Sequence, residues 1–273
     1  MALFMTLLVR DEEDILDANL RYHLEQGVDH VIVTDNLSVD RSAEIVRSYV
    51  DQGVATYLHE PDNTYAQSKW VSRMAAMAHA AGARWIIHSD ADEFWMPPGK
   101  RSLKRWFAQR RWHNIVSAPR HDFICLEDDG APFWQRMIYR KAQSTNPLGR
   151  PLPPKVAHRA AANLVVAQGN HAVAGFRWPR CRTSDLEILH FPLRSRAQYI
   201  RKIENGGKAY SNNTDLDPAV GATWRRQYAE LQETSTLAFV EENIISDAAL
   251  QRLLSEGAAL RDTRLADFFA ERG

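Results

Sequence analysis

The sequence predicts an α/β fold built on a mainly parallel sheet. Three observations carry that prediction. Short apolar runs alternate with segments of helical spacing through the first ninety residues, and the links between them are short. The composition is globular, with 273 residues, 45% hydrophobic and 25% charged, enough chain for one large α/β domain or two small ones.

Residues 2–9 (ALFMTLLV) form a continuous apolar run of strand length. Leu16, Leu20 and Leu24 then fall in one i, i+4 row, and Gly27 stands where a helix would stop. Residues 30–34 (HVIVT) make a second strand, rich in β-branched side chains. Asp40 is placed to cap a helix carrying Ile45, Val46, Tyr49 and Val50, with Gly53 after it. A third strand over 54–58, a helix over 65–81 with Trp70, Val71, Met74 and Met77 inward, and a fourth strand over 84–88 complete the alternation. Connections this short imply right-handed crossovers, and ligands of such sheets bind beyond the carboxyl ends of the strands. Arg10-Asp11-Glu12, Asp35-Asn36 and Asp90-Ala91-Asp92 all fall on that rim.

Beyond residue 100 the pattern weakens. Residues 100–111 carry six basic and no acidic residues with Trp106 and Phe107 among them, which reads as a surface helix more than as a helix lying on anionic lipid. Strands are expected at 114–119 and 133–140, joined by the acidic loop Glu127-Asp128-Asp129-Gly130, with a proline-rich loop at 146–154 and a short strand at 187–191. From about Arg196 the reading is helical, ending in an amphipathic helix or pair over 248–269.

Charge and cysteine content exclude several classes. Thirty-four basic residues balance thirty-four acidic ones, so nothing suggests a nucleic-acid partner. Cys125 and Cys181 make neither a disulfide framework nor a C-x-x-C site. No apolar stretch approaches eighteen residues, so the expectation is a soluble, cytoplasmic protein with at most peripheral contact to the inner face of a membrane. No G-x-S-x-G, P-loop or G-x-G-x-x-G occurs.

A D-x-D spacing alone is weak, since Asp215-x-Asp217 matches it too. Asp90 and Asp92 differ in following a buried strand. Two close carboxylates raise each other's pKa unless a cation lies between them, and hard oxygen donors suit Mg²⁺ or Mn²⁺. Asp35 can accept from a ribose hydroxyl or a base N–H; turn shaping is its structural alternative. His88, inside a strand, reads as a core histidine. His190 ends an apolar strand and is followed by Arg194 and Arg196, while His171 follows Gly169-Asn170; either could join a metal shell.

In order and spacing these pieces resemble the family-2-like glycosyltransferases of GT-A fold, in the branch with D-N-x-S-x-D and D-x-D-E-F segments. The matching residues are Arg10-Asp11-Glu12, Tyr22-His23-Leu24, Gly27–His30, Asp35–Asp40, Trp85–Phe94 and His190–Ser195. The resemblance implies a Rossmann-type, mainly parallel sheet flanked by helices, with a nucleotide-sugar half over 1–96, a mixed acceptor-side half over 97–200 and a helical region over 201–273. It implies transfer of a sugar from a nucleotide-diphosphate donor, a UDP-sugar first, to a hydroxyl acceptor of carbohydrate type, with Mn²⁺ or Mg²⁺ bridging the D-x-D and the diphosphate. Arg10, Glu12, Asp35, Asp90, Lys155 and Arg194 would then meet the nucleotide. Asp92 would be the main metal ligand, Asp90 would serve it or the ribose, and His190 or else His171 would close the shell. The family's R-N-E is R-D-E here. An acidic base fits Asp122 or Glu127. A non-catalytic nucleotide-sugar binding module and a haloacid-dehalogenase-like phosphohydrolase are the competing classes; Phe94 stands where the latter has Thr or Val.

Overall fold

The computed structural model describes residues 1–145, 149–183, 185–217 and 219–272, with the side chains of 181–183 left aside. The chain runs through β1 (Leu3–Val9), α1 (Leu16–Glu25), β2 (His30–Asp35), α2 (Ser42–Asp51), β3 (Ala55–His59), α3 (Gln67–Ala80), β4 (Trp85–Asp90), β5 (Glu93–Met96) and α4 (Leu103–Ala108). Then come β6 (Ile115–Ala118), β7 (Arg120–Asp122), β8 (Cys125–Leu126), α5 (Phe133–Arg136), β9 (Tyr139–Lys141), β10 (Lys155–Arg159), β11 (Val165–Val166), β12 (Val173–Ala174), β13 (Cys181–Thr183) and β14 (Glu187–His190). The remainder is α6 (Arg196–Asn212), α7 (Ala222–Thr234), α8 (Ala238–Asn243), β15 (Ile244–Ile245), α9 (Asp247–Ser255), β16 (Ala259–Arg261) and α10 (Arg264–Ala270). Two compact units result: residues 1–120 with 153–189, and residues 121–152 with 190–273.

The first unit is built on a seven-stranded sheet of order β13-β6-β10-β4-β1-β2-β3. β1 pairs in parallel with β2 and β4, and β2 with β3, as the alternation predicts; β10 runs antiparallel between β4 and β6. The central strands are buried on both faces: Leu3, Met5, Leu7, Val31, Val33, Trp85 and Ile87 on one, and Phe4, Thr6, Ile32, Thr34, Ile86 and His88 on the other, none more than 9% exposed, the signature of a sheet covered by helices. On one face Val71, Met74, Ala75 and Ala78 of α3 pack against Phe4, Ile32 and Ile86. Gly27 stops α1 at φ +91°, and a Cβ there would lie 2.7 Å from Lys104 Cβ, so both backbone and space require glycine.

Three places bear on the sequence reading. Residues 93–96 form β5, a strand that the acidic D-x-D-E-F segment disguised. α4 is the surface helix expected, with Arg105 outside and Trp106 and Phe107 in the core at 0% and 1% exposure, so it offers no aromatic face to lipid. Residues 133–136 are helical rather than extended, because Pro132 opens a turn that Phe133 and Trp134 anchor by packing on Phe191 and Phe269, at ring separations of 5.0 and 4.7 Å. Of the expected loop at 146–154, residues 146–148 lie outside the described ones.

The second unit carries small two-stranded sheets, β15 with β8 and β16 with β9, among five of the helices that follow β14 and the short α5. The expected terminal pair is α9 and α10, with β16 between them. No helix among the described residues is long and apolar enough to cross a membrane.

Candidate functional site

Parallel register brings the rim residues to one level. Val9 pairs with Asp35, Leu8 with Asp90 and Asp35 with His59, so β1, β2, β3 and β4 end together. Asp35 is 2% exposed; its Oδ1 accepts from Ser38 N at 3.0 Å and its Oδ2 from the Tyr57 hydroxyl at 2.8 Å. Burial and the bond to Asp35 push the Tyr57 pKa to about 12, so that hydroxyl is a donor at any ordinary pH. Arg10 donates to Asn63 Oδ1 at 2.6 Å, and burial lowers its pKa against the opposing pull of Asp11 and Asp35. Glu12 is 8% exposed, and its backbone N–H donates to Ser42 Oγ.

Asp11 stands where the family has asparagine, and the structure explains why either fits. Its φ is +53°, a left-handed conformation that Asn and Asp adopt more readily than other side chains. Asp11 Oδ1 accepts from Val39 N at 2.7 Å and Asp40 N at 3.3 Å, a role an amide oxygen could fill. Asp40 Oδ1 accepts from Ser42 N just ahead of α2, but the N-cap position falls on Arg41, which has no side-chain cap, so Asp40 shapes the turn before the helix and does not cap it as expected. Leu37, Tyr65 and Asn170 also have positive φ, at 64°, 50° and 61°. For Leu and Tyr this conformation is costly and points to a site that fixes it.

At the end of β4 lies the most charged cluster of this unit. Lys155, only 1% exposed, places its Nζ 2.5 Å from Asp90 Oδ2 and 3.1 Å from Glu93 Oε1. Arg120 Nη1 stands 3.5 Å from the same Glu93 oxygen. Asn170 Nδ2 donates to Asp90 Oδ1 at 3.2 Å, and Gln67 Nε2 approaches it at 3.4 Å. Asp92 is 3% exposed, on the two-residue link between β4 and β5. Asp215 and Asp217 only shape an exposed turn, Asp217 Oδ1 accepting from Ala219 N. His171 Nδ1 donates to Pro154 O at 2.9 Å, which leaves the Nε2 lone pair for a ligand. Burial, with Lys155 nearby, lowers its pKa to about 4, so the ring is neutral at pH 7.

His88 is the core histidine expected. It is fully buried, its Nδ1 pairs with Thr6 Oγ1 at 2.7 Å, and burial holds its pKa far below 6.5.

In the second unit His190 Nδ1 and Asp122 Oδ1 are 2.7 Å apart. Asp122 N donates to Ser144 Oγ at 2.7 Å. Asp122 lines a cavity of about 320 Å³ with Phe123, Lys141, Leu193, Phe239 and Asn243. Glu127 is exposed. Arg194 is 1% exposed and donates from Nη1 to Phe191 O at 2.9 Å, while its own carbonyl accepts from Arg136.

The first unit thus gathers Arg10, Asp35, Asp90, Asp92, Lys155 and His171, whereas Asp122, Glu127, His190 and Arg194 belong to the second. Sequence reasoning missed Tyr57, Gln67, Glu93, Arg120 and Asn170 as partners of these groups. Glu93 was legible as the residue after D-x-D and Asn170 as the neighbour of His171; nothing in the spacing marks Tyr57 or Gln67.

Comparison with known proteins gives one family and a set of remote structural likenesses. No curated protein matches the sequence. Residues 1–349 of S. aureus TarS superpose at TM-score 0.46 and 15% identity, covering 86% of this chain and 73% of that one. The same protein in complex with UDP gives 0.46 and 14%, covering 85% and 72%. Glucosyl-3-phosphoglycerate synthase from Mycobacterium tuberculosis, in complex with Mn²⁺, UDP and phosphoglyceric acid, gives 0.35 and 13%, covering 58% and 56%. Likeness at this level bears on neither substrate nor metal. The model of the glycosyl transferase family 2, by contrast, matches residues 7–155, more than half of the chain and a span running from β1 through Asp35, Asp90 and Asp92 to Lys155. The chain belongs to glycosyl transferase family 2 and is a glycosyltransferase of GT-A fold.

Proposed function

We propose that this enzyme moves a sugar from a nucleoside diphosphate, UDP first, to a hydroxyl of a carbohydrate acceptor, using Mn²⁺ or Mg²⁺. The observation that carries the reading is the buried Lys155 held between Asp90 and Glu93, level with Asp35 at the ends of parallel strands. A cation and carboxylates concentrated where ligands of such sheets bind suit a diphosphate and its metal.

The donor chemistry fits a hard divalent ion. Lys155 already neutralises Asp90, so Asp92 is assigned as the main ligand and Asp90 as a partner of the ribose or of a metal-bound water. His171, with Nε2 left for a ligand, and His190, carried over from the family resemblance, are the two proposed imidazole ligands. When bound, the ion takes up charge that develops on the leaving diphosphate. Asp35, Arg10 and Glu12 are proposed to hold the base and ribose, and Lys155 and Arg194 to add positive charge. Residues 1–96 would form the nucleotide-sugar half, 97–200 the acceptor side and 201–273 the helical remainder.

Transfer needs the acceptor hydroxyl to lose a proton as its oxygen bonds to the sugar. We assign that role to Asp122 over Glu127, because Asp122 lines a ligand-sized cavity while Glu127 is exposed. The test is release of free UDP or GDP from a panel of nucleotide sugars with mixed carbohydrate acceptors. Turnover that falls by about 10²–10⁴ in Asp122→Asn and stays in Glu127→Gln supports the reading. Nucleotide-sugar binding without any release would instead make this a binding module.

A further inference from the structure

Two stretches of the first unit are basic without a single acidic residue: 94–120 with seven Lys and Arg, and 153–183 with five. In a chain of zero net charge this is a strong local imbalance. The two stretches meet at the sheet edge formed by β13, β6 and β10. There Trp112 and Trp178 are 76% and 73% exposed, unlike every other tryptophan of the chain.

Both indoles sit on links that are held firmly. Asn114 is 8% exposed; its Nδ2 donates to Trp178 O at 2.9 Å, and its Oδ1 accepts from Arg180 N at 2.6 Å. Arg159 donates to the carbonyls of Arg110, Arg111 and His113, at 2.7, 3.1 and 2.9 Å. The Asn114 bonds set the 178–180 link beside the 112–114 link, so the two tryptophans share one patch. Arg111 and Arg177 adjoin the tryptophans in the chain, with the Arg177 guanidinium 5.7 Å from the Trp178 ring, and Arg84 and Arg180 both lie close enough to Arg159 to add to burial in lowering its pKa. All four are exposed, and no carboxylate contact is found for them among the described residues. Arg110, by contrast, is paired with Asp185 at 3.1 Å. The patch lies at the Arg159–Trp85 end of the β10–β4 pair, opposite the end that carries Lys155 and Asp90.

We propose that Trp112 and Trp178, with Arg84, Arg111, Arg177 and Arg180, form a docking surface for an anionic lipid membrane. Indoles favour the water–hydrocarbon interface, where ring and N–H are both satisfied, and arginines gain from acidic headgroups. Two protruding indoles flanked by Arg111 and Arg177 suit shallow insertion better than the broad stacking platform a nucleic-acid strand requires. Docking by this end leaves the Asp35–Asp90 rim uncovered. The proposal is independent of the transferase reading, and its test uses no activity.

The experiment is co-sedimentation of the full chain with vesicles of phosphatidylcholine alone and with 30% phosphatidylglycerol added (roughly a physiological anionic fraction). Binding is expected only to the anionic vesicles. Trp112→Ser/Trp178→Ser should weaken it about tenfold or more, and each of Arg111→Gln and Arg177→Gln about fivefold, with the effect fading in high salt. These are exposed side chains, and unchanged circular dichroism of each variant checks that the fold persists. Equal binding to neutral vesicles, or no binding to either, overturns the proposal. So does tight binding to heparin that ignores the tryptophans, which would make the patch a polyanion site. A self-association lost in the double tryptophan variant would make it a contact between copies and overturn it too.

Discussion

The two compact units treat buried charge differently. The first encloses Glu12, Asp35, Glu60, Asp92, Glu93 and Lys155, most of them at the ends of its parallel strands. The second encloses Arg194 and Asp262 and otherwise packs aromatic rings: Phe123 on Phe191 at 4.4 Å, Phe133 on Phe191 at 5.0 Å and Tyr199 on Phe239 at 4.9 Å. Buried ions cost stability unless they are paired, whereas stacked rings add to it. The first unit therefore concentrates its buried charge at its strand ends, and the interior of the second is held mainly by rings.

The largest expected effect is on the pair that defines the first unit. Lys155→Met removes the cation between Asp90 and Glu93 and leaves Glu93 only Arg120, at 3.5 Å; it should destabilise by about 3–5 kcal/mol. Adding Glu93→Gln should recover part of that loss in urea unfolding. Full additivity in this cycle would show that the two groups are not coupled. In the second unit Phe191→Ala should cost about 3–5 kcal/mol by cavity formation, with no dependence on pH or salt, whereas the Lys155 effect should vary with both.

Close helix packing gives the next contrast. Gly206 and Gly207 match no nucleotide-binding motif; the structure sets them against Trp224 and Tyr228, where a Cβ would overlap the Trp224 ring and Tyr228 Cβ. Gly207→Ala should destabilise by about 1–3 kcal/mol through overpacking, outweighing the gain of about 1 kcal/mol in helix propensity. A more stable variant in thermal unfolding would show that α6 and α7 are not so close.

Acid should act on the first unit. Burial lowers His23 and His158 to about 4, and His88 well below 6.5. A histidine kept neutral in the fold binds its proton only when unfolded. Its contribution is therefore complete above pH 6.5 and is lost as pH falls from 6.5 toward 4. Unfolding free energies from urea titrations should be level from pH 7.5 to 6.5 and then fall toward pH 4.5 by on the order of 1 kcal/mol per pH unit per histidine. A flat profile contradicts this burial. The smallest effect expected is that of Tyr57→Phe, which removes the donor to Asp35 Oδ2 and should cost about 1 kcal/mol and weaken UDP binding severalfold.

The same contrast explains what could be read from the sequence. β1, β2 and β4 were legible because strands buried on both faces are continuous apolar runs, and their ends located Arg10, Asp35, Asp90 and Asp92; β3, at the sheet edge, followed from the alternation of strands and helices. β5 was not, since Glu93 interrupts the apolar signal and is buried through its contacts with Lys155. β10 was missed because its five residues, KVAHR, carry three ionisable side chains, yet Lys155 and His158 are both inside. The partners Gln67, Asn170 and Tyr57 are brought in by tertiary contacts between distant segments. In the second unit residues 133–136 (FWQR) lacked any period, and packing of Phe133 on Phe191 and of Trp134 on Phe269 decided a helical turn.

The central claim is that the charged end of the first unit's sheet binds a nucleoside diphosphate with its metal. The direct measurement is calorimetric titration of UDP and GDP, with and without Mn²⁺, into the wild type and Asp92→Ala. The account predicts binding of one nucleotide that requires Mn²⁺ and disappears in Asp92→Ala. Metal-independent binding that survives Asp92→Ala, or no binding of either nucleotide with metal present, would contradict it.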